Sequence, residues 1–561
     1  MEKLQRRVDE VRASRSELDN HLIDELVTGR ISRREFIRRG TVLGMSMGVL
    51  GFLAAACGGS STPGTTGTSA AGAVKKGGTM TVGIIAPSAA VNPLTVADEG
   101  GLAVLGQAGE YLTWSDEKLN LQPVLAESWS PNADGSVWTF KIRQGVTFNN
   151  GQPLKAEDVA QTFKTHSDTK GGSSALSAFA GVLKPAGVQV VDDQTVAFNL
   201  DAPNGNFPYL VSSDNYNTVI LPANYDYAGK YEQSFLGTGP WKMTSFKTGS
   251  EVAYAKNPSY WQSGSPFLDT VTLKFYADEQ PRVLALQGKQ LDVVSQFSAS
   301  TGQPLFNNPS VKVLELRSVA HRQVHMRTDK EPFTDKRVRQ AIGLVLDRPA
   351  LVQGLLNGKG DVGNDSPFAP VFPSTDTSVP QRTKDVEKAK QLLAEAGKSS
   401  FTVTLATWNG YEIPLLAQTI KEAVQQVGGT VNLSVTNPST YYGSAVFGKS
   451  PWLDSTMGIT DYGHRGVPNV FLSAPLTSAG PWNSAHFKNP DYDGLVKQYV
   501  AAIDVQAQKA AAKKIEELLL DESPVLFPYF HFHMSGTQTN VAGVEPTAMG
   551  HIRLTKAGFS A

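Results

Sequence analysis

One cysteine, Cys57, stands in 561 residues, so no disulfide can form within the chain and the fold must rest on its hydrophobic core, which a chain of this length builds readily. Excess charge of either sign is missing as well. Lys and Arg number 51 against 52 Asp and Glu, and without residues 1–57, which hold ten and eight of them, the balance is 41 against 44. That near balance excludes no small ligand but argues against a nucleic-acid partner, which wants a strongly basic face. Beyond residue 57 no apolar run approaches the roughly 20 residues of a membrane span. No internal repeat is present, and the only low-complexity tract is 58–78.

The lone cysteine is placed informatively. Arg33 and Arg34 stand side by side, Ser32 before them and Phe36 and Ile37 after, and the uncharged run 41–56 leads to Cys57. Basic segment, short apolar run and small residues, in that order, make an export signal. The arginine pair resembles a twin-arginine signal. Ala54-Ala55-Ala56-Cys57 resembles a bacterial lipobox, with Leu53 four residues before the cysteine where three is usual. In a lipobox the cysteine is lipidated and begins the mature chain. A cysteine within an N-terminal membrane helix and a processed, unlipidated signal are the other two readings. Residues 1–57 are therefore expected to be an export signal with a cytoplasmic N-terminal extension, in which Leu18, Leu22, Ile23 and Leu26 predict a short amphipathic helix. Residues 58–76 are expected to be a flexible linker; as a random coil the tract 58–78 spans roughly 25 Å.

Patterns that suggest catalysis fail in context. "GMSMG", 44–48, has nucleophile-elbow spacing but lies inside the export signal. "GSAVFGKS", 443–450, has the spacing of a phosphate-binding loop, yet "TYYGSAVFG" predicts a helix ending at Gly448, and Pro451 removes an N–H the cradle would need. "YFHFHMS" puts His531 and His533 on one face of a predicted strand, metal-ligand geometry if a third ligand arrives, but two histidines also suit a structural or cavity-lining role. Glu157-Asp158 reads as negative charge in the first turn of a helix.

The rest of the chain mixes strands and helices, an α/β pattern. "SVWTFKIRQGVTF" after the turn "NADG" predicts a hairpin strand, "DKRVRQAIGLVLDR" a core helix starting near Asp335, and "DVEKAKQLLAEAG" a helix stopped at Gly397. Five blocks in order, 125–163, "GTGPWKMTSF" (237–246), "NPSYW" (257–261), "ALQGKQLDVV" (285–294) and "PFTDKRVRQAIGLVLDR" (332–348), resemble the family 5 extracytoplasmic solute-binding proteins of ABC importers, of oligopeptide- and dipeptide-binding type. In these blocks Gly237 and Gly239 are expected to permit tight turns, Trp129, Trp138 and Trp261 to be core, and Arg339 to pair with an acid.

The resemblance implies a two-lobed, periplasmic-binding-protein type II-like fold with an extra inserted domain: lobe I from 77–115, 216–322 and 526–561, inserted domain II at 116–215, and lobe II (domain III) at 323–525. It implies a protein that captures peptides or a related small solute by closing its lobes and delivers them to a membrane permease with separate ATPase subunits. It further implies no enzymatic activity, no cofactor or metal, a monomer, and a place on the outer face of the cell membrane, in the periplasm or cell-wall space, held by an N-terminal lipid. In "MGITDYGHRGVPNVFL", 457–472, Asp461 occupies the family position that pairs with a peptide's α-ammonium. His464 and Arg465 supply donors nearby, Arg465 as partner of the ligand carboxylate, and Gly458, Gly463 and Gly466 would admit close approach. Trp408 and Trp482 are the aromatic candidates for the cleft, Tyr111 and Trp114 weaker ones. A secreted hydrolase or metalloenzyme using His531 and His533 is the competing class. Nickel-chelate, glutathione, oligosaccharide and opine binders share the fold.

Overall fold

The computed structural model describes residues 74–228, 231 and 235–560. Arg33, Arg34, Cys57 and nearly all of the expected linker lie outside the described residues. Two large mixed sheets organise the rest. The first runs Val311–Leu316, His533–Gln538, Val293–Phe297, Thr79–Ile85, Thr270–Tyr276, Glu251–Lys256, Trp241–Lys247. The second runs Gly360–Val362, Tyr529–His531, His321–Met326, Met457–Tyr462, Phe401–Trp408, Gly429–Thr436, with Val525–Leu526 pairing beside His321–Met326. Chain order makes two crossings between them, at 317–320 and at Phe532. Helix Ile413–Gln425 joins the parallel strands Phe401–Trp408 and Gly429–Thr436 and buries Leu416, Ile420 and Val424, the spacing of one helical face.

A four-stranded antiparallel sheet, Ala126–Pro131, Val137–Ile142, Thr195–Asn199, Val188–Asp192, has its own core around Phe140, Phe163 and Phe198. The hairpin expected after "NADG" is the pair Ala126–Pro131 and Val137–Ile142. Helix Ala156–Ser167 follows, and its first-turn Asp158 accepts from Lys155 N at 2.8 Å and from Ala223 N at 2.8 Å. Trp138 is buried, and Trp129 and Trp261 pack against the same core.

Helix starts follow their caps. Asp335 accepts from Arg337 N ahead of Lys336–Leu344, and Asp385 from Lys388 N ahead of Val386–Glu395, which gives way to left-handed Gly397. Arg339 pairs with Glu522 at 3.3 Å. Gly237 serves a different need from the one expected. Its φ is not positive; a Cβ there would stand 2.0 Å from the Ala108 carbonyl oxygen, so close packing demands the glycine. The helix expected to end at Gly448 is Pro438–Tyr442, ending at Gly443, because Gly448 N and Ser450 N donate to the Asp454 carboxylate instead of continuing the helix. Among the described residues no helix is long and apolar enough to cross a membrane.

Candidate ligand-binding cleft

Thr79–Ile85, Thr270–Tyr276 and Val293–Phe297 are parallel, so their C-terminal ends share one edge of the first sheet. Asp98 and Glu99 follow the first strand, Glu279 the second, Ser298 and Ala299 the third. In the second sheet Phe401–Trp408 and Met457–Tyr462 are parallel, and past their ends come Tyr411 and Glu412, then Gly463, His464 and Arg465. A cavity of about 320 Å³ is lined by these residues from both sheets and by the crossings, through Ser318, Ala320 and Phe532. Open α/β sheets bind ligands outside the C-terminal ends of parallel strands, where loops are free to carry polar groups; here two such edges enclose one space.

Asp461 lies opposite Arg322 in the antiparallel ladder. Arg322 is committed elsewhere. Its Nε and Nη2 donate to the two Glu412 oxygens at 2.8 and 3.2 Å, its Nη1 lies 3.2 Å from His531 Nε2, and Tyr529 Oη also donates to Glu412, at 2.8 Å. Burial pushes the Glu412 carboxyl up, but the Arg322 charge, His531 and the hydrogen bonds from Arg322 and the backbone together outweigh it and hold it at about 2. Asp461 receives the Tyr442 hydroxyl on Oδ1. No protein donor reaches its other oxygen among the described residues.

His464 lines the cavity as a buried neutral ring. Burial, reinforced by Arg465, pushes it down to about 3, and Nδ1 accepts from Val319 N at 3.2 Å, which fastens this loop to a crossing segment. Arg465 also lines the cavity. Its Nη1 donates to the His464 carbonyl at 2.7 Å, and its charge is favoured by Tyr216 and Asp214, which line the adjoining cavity with it. Trp482 lines a smaller adjoining cavity of about 60 Å³ that shares Tyr216 and Arg465, and does not line the main one. Trp408 lines neither; it packs against Tyr411 and Tyr442, ring centroids 5.5 and 6.1 Å away, over Gly410. Tyr111 is buried, and Trp114 stacks near His551 and Arg553 away from the main cavity. Of the three glycines, Gly463 faces the cavity, whereas a Cβ on Gly458 would strike His325 and one on Gly466 would strike Asp214, so these two serve packing.

The histidines of "YFHFHMS" do not share a strand. Phe532 separates Tyr529–His531 from His533–Gln538, so the pair straddles a crossing. Both rings line the cavity and both are pushed down by burial, His531 to about 3 and His533 to about 4. Arg322 places a cation against His531, and no three His, Cys, Asp or Glu side chains among the described residues could hold a metal ion together. The loop with phosphate-binding spacing cradles an anion of the protein itself. Gly448 N donates to both Asp454 oxygens at 2.8 Å, occupying the N–H group a phosphate would use.

Sequence reasoning passed over Glu99, Glu279, Arg322, Tyr411 and Glu412. Tyr411 alone carried a local signal, "NGY", a turn that puts this non-glycine residue at φ +51° and its ring over Arg322, 5.2 Å from centroid to guanidinium.

Residues 120–472 match the middle region of the bacterial extracellular solute-binding proteins, family 5, and the chain belongs to that family. The oligopeptide-binding protein AppA of Bacillus subtilis is 28% identical over 541 residues, covering 90% of this chain and 96% of its own. Heme-binding protein A of Haemophilus influenzae is 26% identical over 470 residues, covering 77% and 82%. In three dimensions the chain is similar to the same Bacillus subtilis AppA in complex with a nonapeptide (TM-score 0.68, 24% identity, 87% of this chain and 100% of that one) and to the substrate-binding protein CtaP of Listeria monocytogenes (TM-score 0.75, 21% identity, 87% and 100%). The α/β, periplasmic-binding-protein type II-like fold expected from the sequence is the fold observed.

Proposed function

We propose that this chain is a lipid-anchored peptide-capture protein of an ABC importer, working as a monomer on the outer face of the membrane. Two lobes close over a peptide and present it to a permease whose ATPase is a separate polypeptide. The observation that carries the reading is Asp461. It stands in a cavity between two sheets joined by only two crossings, its neighbouring cation is bound to Glu412, and one of its oxygens is without a protein donor. Such an acid is suited to the α-ammonium of a peptide, and Arg465, on the same loop, to the carboxylate. Relatives named as oligopeptide- and dipeptide-binding proteins support the solute class. On this reading the lobes divide where the sheets do, so that 321–531 move as one body and the last boundary falls at Phe532, six residues later than the family resemblance implies. Delivery of the chain to the membrane is assigned to Arg33, Arg34 and Cys57.

The test is calorimetric titration of a tetrapeptide and its N-acetylated twin into the parent protein and Asp461→Asn. Removing the partner of an ammonium in a closed cleft costs about 2–5 kcal/mol, roughly thirtyfold to several-thousandfold in affinity. Acetylation is expected to weaken binding to the parent protein and to cost much less in the variant. If acetylation is harmless to both, the peptide assignment gives way to another solute, such as the heme or glutathione for which other relatives are named.

A further inference from the structure

The charges lining the cavity are distributed unevenly between its walls. Each cation of the second lobe already has an acid or a carbonyl. Arg322 is held by Glu412, Lys359 by Glu315 at 2.6 Å, and Arg465 donates to the His464 carbonyl and faces Asp214. The acids of the first lobe are less provided for. Asp98 is spent as a helix cap, accepting from Gly101 N at 2.9 Å and Ser88 Oγ at 2.8 Å. Glu279 accepts from Ser298 N and Oγ on Oε2 alone, at 3.2 and 2.7 Å. Among the described residues, no Lys, Arg or His nitrogen lies within 4.0 Å of Glu99, Glu279 or Asp461. Arg282 is buried near this wall, 2% exposed, with no hydrogen-bond partner on Nε or Nη1. The two glutamates do not fold back onto it, and its single charge offsets only one of them. The wall therefore holds a surplus carboxylate opposite Asp461.

Resting on the reading of the cleft as a peptide site, we propose that Glu99 and Glu279 receive the cationic side chain of a basic peptide while Asp461 receives its α-ammonium. A lysine or arginine side chain brings its ammonium or guanidinium to the glutamates and lays its methylene stem along the Tyr411 ring, which lines the same cavity and is 58% exposed. The state of Glu99 is consistent with this. Burial in the cleft pushes its carboxyl up, with the Gln296 amide and Arg282 opposing and Glu279 and Asp98 adding, so an incoming cation relieves a carboxylate that burial disfavours.

The experiment compares tetra-alanine peptides carrying lysine or its uncharged isostere norleucine at position two, three or four, titrated into the full chain and into Glu99→Gln and Glu279→Gln. At one position at least, lysine is expected to bind about tenfold tighter than norleucine or better, as a partly buried charge pair would give. Each variant is expected to lose most of that advantage of lysine over norleucine, with a circular dichroism spectrum matching that of the parent to show that it is folded. Equal binding of lysine and norleucine peptides at all three positions overturns the proposal and leaves the peptide reading standing. Binding of no peptide overturns both. A lysine advantage that survives both variants places the cation elsewhere and overturns the assignment to this wall.

Discussion

Asp214 shows what a single side chain does where two lobes meet. It comes from the first-lobe side of the cleft, and one of its oxygens is buried without a donor beside Gly466 and Arg465 of the second. Burial pushes its carboxyl up to about 7, with a Ser115 hydrogen bond and the Arg465 charge opposing. An acid whose folded pKa exceeds its unfolded value of about 3.9 is held protonated by the fold; its penalty is absent at low pH, grows as pH rises from about 4, and is complete above about 7. Asp214→Asn is therefore expected to raise the melting temperature at pH 8, leave it unchanged near pH 4, and flatten the profile between. A variant profile parallel to that of the parent would sink this assignment. Residues of this kind were illegible in the sequence. Asp461 was visible because its neighbours resemble a family segment, whereas Asp214 and Tyr411 sit in loops and Glu99 and Glu279 open the helices Glu99–Ala108 and Glu279–Gln287, and which of these segments meet is decided by chain positions drawn from 97 to 549.

Among the elements, legibility tracked local chemistry. Helices opening at Asp335 and Asp385 and closing before Gly397 were legible because the capping groups are sequence neighbours of the turns they satisfy. The segment 438–450 was misread because its backbone N–H groups find their acceptor in Asp454, at the end of the next short helix, Pro451–Asp454. That carboxylate is the loop's organiser. Asp454→Ala is expected to lower stability by about 1.5–3 kcal/mol, the range for hydrogen bonds to a charged group, with faster amide exchange at Gly448. Peptide affinity should stay unchanged, since the loop does not line the main cavity. Unaltered exchange at Gly448 would show that the loop holds its shape without the carboxylate.

For the whole molecule, the two crossings at 317–320 and Phe532 mean that, if the lobes divide where the sheets do as proposed, every other contact between them is non-covalent and must break for the cleft to open. The inserted sheet sides with the first lobe through Asn149 N on the Gly237 carbonyl at 2.9 Å. From it Asn206 reaches the second lobe. Its Nδ2 donates to Asn469 Oδ1 at 2.8 Å, its Oδ1 accepts from Gln508 Nε2 at 3.0 Å, and beside it Gly205 N donates to the Val500 carbonyl at 2.9 Å. All three amides are buried, and none of them lines the main cavity. On the proposed reading, in which the lobes close over a peptide, this contact is a latch that acts on closure without touching ligand. Asn206→Ala strands Asn469 Oδ1 and one N–H of Gln508, whose Nε2 keeps the Ala502 carbonyl at 3.0 Å, only while the lobes are shut, because on opening both regain water. At about 1–3 kcal/mol per stranded group, affinity for a tetrapeptide is expected to fall by roughly tenfold or more, with small-angle scattering of the unliganded variant shifted toward the open form. The latch is separable from the ligand's own contacts. N-acetylating the peptide should weaken binding to Asn206→Ala by the same factor as in the parent, since distant, independent sites add, whereas in Asp461→Asn that factor should shrink. If Asn206→Ala changes the acetylation factor, the latch and the ammonium site are one coupled unit; if it leaves affinity untouched, closure does not depend on this contact.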